Sequence, residues 1–194
     1  MKKILAFCAI VVVCITMMAG NDATEKAGKT LEVSFEYEKQ SGPGSNQYAV
    51  WVENAEEQVV KTLFVTSFTT KGRARGNQAP ARGYTYRPAC VPTWVTHAKA
   101  PEMTDEEIDG FTGATPQSGR QVFTWDLKDK DGKDLPKGTY KVCVEATLFN
   151  SSIVLYTGTF TLKDKAGEIK LTSSLTQPDE QHANMIKAVQ ACLK

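Results

Sequence analysis

Residues 109–118 read DGFTGATPQS and gather one acid, three hydroxyls and two glycines into a single turn-rich stretch. A threonine hydroxyl in such a stretch has two possible employments. It can satisfy backbone groups within its own turn, or it can stand exposed as an acceptor that a second enzyme encloses. Gly110, Gly113 and Pro116 favour a protruding turn, so the stretch is either a polar return to the sheet or a place where something is attached or bound.

A second group with chemical potential lies upstream. Arg73, Arg75, Arg82 and Arg87, with Lys71, form the main positive cluster of the chain, and Tyr84, Tyr86 and Trp94 are interspersed among them. Guanidinium geometry suits a phosphate or carboxylate clamp, and the rings could stack on a flat ligand. Equally, the arginines can pair with the acidic run of Glu102, Asp105, Glu106, Glu107 and Asp109, and the aromatics can form the segment's own small core.

Other chemistries find little support. The chain carries two histidines, His97 and His182, without metal-ligand spacing to each other or to the cysteines, so no metal site is expected. Neither a Gly-x-Ser-x-Gly elbow nor a phosphate loop of the Gly-x-x-x-x-Gly-Lys type occurs. No catalytic residue is nominated, and independent catalytic activity is not expected.

The elements that must position these residues begin after an export signal. Lys2 and Lys3 precede an apolar run that ends at Ala19 and Gly20, predicting a leader over residues 1–20 with cleavage near 20–23. Its removal takes two lysines and no acid from 23 basic and 22 acidic side chains, leaving 21 against 22. So balanced a surface argues against nucleic-acid binding. No second run is long enough to span a bilayer, so the mature chain is expected in the periplasm or otherwise secreted. Export permits disulfides, but Cys90, Cys143 and Cys192 are an odd set. One internal bridge and three small buried hydrophobes both remain open.

LEVSFEYE (31–38) alternates strictly, and QYAVWVEN and QVVKTLFVTSFTT follow as a hairpin. RQVFTWDL, TYKVCVEATLF, IVLYTGTFTL and EIKLTSS resume the pattern further on, separated by turn residues. These segments predict an all-β, antiparallel, immunoglobulin-like β-sandwich over residues 24–175. One irregular loop region, 71–117, interrupts it, and within it Thr104 and Glu107 have capping-box spacing. Residues 176–194 place Met185, Ile186, Val189, Cys192 and Leu193 at helical spacing and predict a short C-terminal helix.

Four stretches, NQYAVWVENAEEQVVKTLFVTSFTTKG, YRPACVPTW, DGFTGATPQSG and FTWDLKDKDGKDLPKGTYKVCVEATLFN, carry a resemblance in this order to the bacterial secreted family called domain of unknown function 2271. WDLKDKDGKDLPKGTYKV is also similar to the immunoglobulin-like module of flagellar hook-cap proteins. The family resemblance implies an exported protein found in the company of flavin-transfer and membrane electron-transfer components. DGFTGAT resembles the acceptor motif of proteins that a flavin transferase modifies, moving FMN from FAD onto a threonine. That resemblance implies Asp109 as the leading acidic recognition residue, Thr112, Gly113 and Ala114 as the presented turn, and Thr115 as the esterified hydroxyl.

Two functions are therefore in view. One is an exported electron-transfer accessory protein that bears covalent FMN on Thr115 and works with a flavin transferase and a membrane redox protein. The other is a non-catalytic binding or scaffold protein that uses residues 71–117, with Arg73, Arg75, Arg82, Tyr84, Tyr86, Arg87 and Trp94, as its contact surface.

Overall fold

A computed structural model describes residues 29–74, 76, 81–129 and 131–194. The expected leader and Arg75 lie outside the described residues. Strand β1 (Leu31–Tyr37) forms where the alternation of Leu31, Val33, Phe35 and Tyr37 turns four large side chains into the core. The hairpin of β2 (Gln47–Asn54) and β3 (Val59–Thr66) is antiparallel, as its short connection requires.

The chain then leaves the sheets. Helices α1 (Ser67–Lys71), α2 (Gly83–Tyr86), α3 (Pro92–His97) and α4 (Asp105–Asp109) follow, with a 3-10 turn at Ala100–Glu102 between the last two. A two-residue strand, β4 (Thr112–Gly113), pairs in parallel with β3 and ends the excursion. Sheet then resumes with β5 (Gly119–Trp125), β6 (Thr139–Phe149), β7 (Ser152–Thr161), β8 (Gly167–Ile169), β9 (Thr172–Leu175) and β10 (Ile186–Leu193).

Two sheets result, one in the order β5-β1-β10-β8 and the other β4-β3-β2-β6-β7-β9. The main core combines β1 and β10 of the first with Tyr48, Val50, Val52, Val142, Val144 and Ala146 of the second. A smaller core lies on the opposite face of the second sheet, where Trp94 and Val91 pack against Ala49, Trp51, Val65 and Cys143. Burial on both faces explains why β2 is apolar almost throughout.

The architecture is thus mixed α/β, and it corrects the expected all-β, immunoglobulin-like β-sandwich. The 71–117 region is not one irregular loop. It holds three short helices, α2 to α4, and its Val91, Trp94 and Ala100 cover Trp51 and Cys143 on the outer face of β2 and β6. Cys90, Cys143 and Cys192 are free, the first two buried, with Cys143 in the smaller core.

The C-terminal helix expected over 176–194 is also corrected: Ile186–Leu193 form β10, which lies between β1 and β8, and the residues before it are turns. A bulge produced the misleading period. Ser34 faces Gln190 and Glu36 faces Lys187, so β10 carries one residue more than β1 across this step. Ala188 takes up the extra residue with φ +52°. Ile186, Ala191 and Leu193 all enter the core despite their uneven spacing. EIKLTSS likewise is not one strand but two, β8 and β9, which belong to different sheets.

Two buried carboxylates hold α3 against the sheet. Glu145 on β6 accepts the backbone N–H groups of Thr93 and Trp94, both at 3.1 Å, in place of an N-cap side chain. At the other end His97 Nδ1 lies 2.9 Å from Glu53 of β2, which also accepts Trp51 Nε1 at 3.0 Å and Lys141 Nζ at 2.8 Å. Burial pushes the Glu145 carboxyl above its usual range, partly opposed by those N–H groups. Burial acts the same way on Glu53, yet donation from His97, Lys141 and Trp51 outweighs it and holds that carboxyl below its usual range.

Candidate functional site

Helix α4 starts at the expected capping box. Glu107 N donates to Thr104 Oγ1 at 3.2 Å, and the Glu107 carboxylate accepts Thr104 N at 2.9 Å. The helix ends at Asp109, whose exposed carboxylate pairs with Lys71 at 2.6 Å. Val65 N donates to Phe111 O at 3.1 Å, which draws the next residues alongside β3.

Thr112 and Gly113 consequently form β4 rather than a protruding turn. The Thr112 hydroxyl lies 3.0 Å from that of Thr70 in α1. Gly113 passes beneath Phe64, and a Cβ there would lie only 2.3 Å from the ring. Presentation begins one residue later: Ala114 is exposed and Thr115 half-buried. Among the described residues the Thr115 hydroxyl has no hydrogen-bond partner. Ser118 is engaged, its hydroxyl accepting Lys39 N at 2.9 Å.

Thr115 lines a cleft of about 500 Å³ that local sequence did not announce. One wall is the loop after β1, where Asn46 Oδ1 accepts the Tyr37 hydroxyl at 2.9 Å and Gln40 N at 2.8 Å. Gln47 anchors its base by accepting Thr66 and Thr69 hydroxyls at 2.7 and 3.2 Å. The other wall carries Phe68 of α1 and Arg87, whose guanidinium carbon lies 6.0 Å from the Phe68 ring centre. Lys39 and Arg73 complete the cationic lining, and among the described residues no carboxylate takes part in it.

The arginine and aromatic group foreseen as one surface is divided. Arg73 and Arg87 reach this cleft. Arg82 turns away, donating to Met103 O at 2.8 Å and Asp105 at 3.1 Å. Tyr84 lines a separate cleft with Arg82, Asp105 and Asp109. Tyr86 is half-buried, and Trp94 is wholly buried with Nε1 donating to Thr62 at 3.1 Å. Trp94 is therefore unavailable for stacking on a ligand. Lys39, Asn46, Gln47 and Phe68 escaped sequence reading; the sole local signal was KQSGPGSN, which reads as a turn and nothing more.

Among the described residues, no group of three or more His, Cys, Asp or Glu could hold a metal ion. Within the same residues no helix is long and apolar enough to cross a membrane. A family model described as "Predicted periplasmic protein (DUF2271)" matches residues 28–176, every element from β1 to β9. No curated protein and no solved structure matches the chain.

Proposed function

Because the chain belongs to the DUF2271 family of predicted periplasmic proteins, we propose that it is an exported electron-transfer accessory protein carrying FMN esterified to Thr115. The observation that carries this reading is the state of Thr115. Its hydroxyl has no protein partner among the described residues, stands after the exposed Ala114, and borders a cleft lined by cations. A hydroxyl engaged in closing its own turn would argue for the alternative employment.

The neighbouring residues fit the group. Asp109 stands exposed at the end of α4, where a transferase can reach it in competition with its ion pair to Lys71. Thr112 and Gly113 hold the segment in register, Ala114 is exposed, and Thr115 is half-buried at the cleft. In the transfer, the Thr115 oxygen bonds to the FMN-side phosphorus of FAD and the phosphoanhydride P–O bond breaks. AMP departs with the bonding pair, and the hydroxyl proton passes to a base of the transferase. Bound FMN supplies one- and two-electron chemistry. This chain supplies the tether and a rigid base, with a membrane redox protein as electron partner and no catalysis of its own.

The test is the intact mass of the exported protein after co-expression with a flavin transferase. A gain of one FMN is expected in the wild type and in Thr115→Ser, and none in Thr115→Ala. An unmodified mass despite efficient export and active transferase overturns the proposal.

A further inference from the structure

We propose that the cleft beside Thr115 is a phosphoryl-binding site whose cationic ligands are Lys39, Arg73 and Arg87. In its covalent form, with the phosphate that joins FMN to Thr115 as occupant, the proposal rests on the function proposed above. The site itself does not, because its chemistry equally accepts a free phosphate monoester.

Charge is the first argument. Elsewhere in the same excursion, Lys71 is neutralised by Asp109 and Arg82 by Asp105. Lys39, Arg73 and Arg87 have no carboxylate partner among the described residues, yet all three line one cleft that contains no acid. Converging like charges repel one another, and a bound anion relieves that repulsion. Guanidinium forks favour phosphoryl oxygens in particular, and the resulting hydrogen bonds are charge-assisted.

Rigidity is the second. The Arg87 guanidinium rests against the Phe68 ring. It also borders Gly44, where a Cβ would lie 3.1 Å from Arg87 Nη2 and 2.5 Å from Asn150 Oδ1. The glycine thus leaves room for the guanidinium and the loop to approach each other. Asn46 locks the same loop through its bonds to Tyr37 and Gln40. Arg87 and the Asn46 loop are therefore held before binding, so that part of the cleft gives up little freedom when an anion enters.

Position is the third. Thr115, the one lining hydroxyl on the segment after β4, borders the same cleft. A phosphate esterified to it therefore stands at the cleft that the three cations line. The ester carries one negative charge and two non-bridging oxygens, which matches donors of this kind.

The test uses the exported full chain in two forms. Without a transferase, inorganic phosphate titrated at low ionic strength should bind saturably to the wild type and to Thr115→Ala. Arg73→Gln/Arg87→Gln should weaken that binding at least about tenfold. Arg73→Gln alone, altering an exposed side chain, should weaken it in the same direction without affecting folding. With FMN attached, phosphate should no longer bind, and the phosphorus-31 resonance of the ester should shift in the double variant. Phosphate binding without any flavin adduct overturns the FMN assignment and supports the cleft as a site for free phosphate monoesters. Absence of saturable phosphate binding, or binding equally strong in the double variant, overturns the site even where the adduct forms.

Discussion

The hydroxyls of Thr70 and Thr112 lie 3.0 Å apart, fastening the segment ahead of Thr115 to the helix that carries Phe68. Thr70 is buried and Thr112 half-buried. Replacing Thr70 by Val removes this bond and the donation from Thr70 to Ser67 O at 3.3 Å while nearly preserving shape, so stability should fall by about 1–2 kcal/mol. Urea unfolding measures it, and an unchanged midpoint would show that the two bonds contribute nothing.

Gly113→Ala should be more costly than an ordinary glycine replacement. Its Cβ would meet Phe64, which is itself packed between Tyr48 and Phe123 with ring centres 5.1 and 5.3 Å away. The expected loss is about 1–3 kcal/mol from overpacking. A urea midpoint equal to or above that of the wild type would refute this close approach.

Removing the Glu53 carboxylate strands three donors at once. Glu53→Ala leaves Trp51 Nε1 inside the small core and deprives Lys141 and His97 of their buried partner. Lys141 retains some solvent and Glu57 at 3.4 Å, so a loss of about 2–4 kcal/mol is expected rather than the full penalty of a broken buried pair. A loss below about 1 kcal/mol, measured by denaturant unfolding, would contradict this balance.

The same carboxylate sets an acid dependence. Its folded-state pKa lies below the ordinary value of 4.5, so its contribution is complete above that pH and is lost as pH falls through the folded value. Glu145 has the opposite sign: its raised pKa means that stability declines as pH rises from 4.5 through the folded value. Unfolding free energies measured from about pH 3 to about pH 7 should show a weaker acid slope in Glu53→Gln and a weaker opposing slope in Glu145→Gln. Slopes identical to the wild type would refute both assignments.

Truncation before Ile186 should abolish cooperative unfolding. β10 hydrogen-bonds to β1 on one side and β8 on the other and buries Ile186, Ala191 and Leu193. A helix lying on the surface could be removed with less damage. A truncated chain that keeps near-native near-ultraviolet circular dichroism and a sharp thermal transition would contradict the central place of β10.

The legibility of the chain followed the range over which each feature is decided. β1 was readable because Leu31, Val33, Phe35 and Tyr37 alternate within one strand, and α4 because Thr104 and Glu107 close a capping box across three residues. The segment 186–193 misled because a single bulged residue, Ala188, turns a strand's period of two into spacings that imitate a helix. EIKLTSS misled for another reason: an unbroken β-forming run does not reveal that its halves pair with different sheets.

The amino-acid order by itself determined strands such as β1, β2, β3 and β6, the helical cap of α4, and the presence of the DGFTGAT motif. Each depends on residues a few positions apart, where pattern and backbone preference act directly. Only the tertiary structure decided that Glu53 and Glu145 are buried on the sheet, that Arg82 and Trp94 turn away, and that Lys39, Arg73, Arg87 and Thr115 line one cleft. Those outcomes depend on which faces of distant strands and helices bury one another, and that competition for core area leaves no local signature around any single residue.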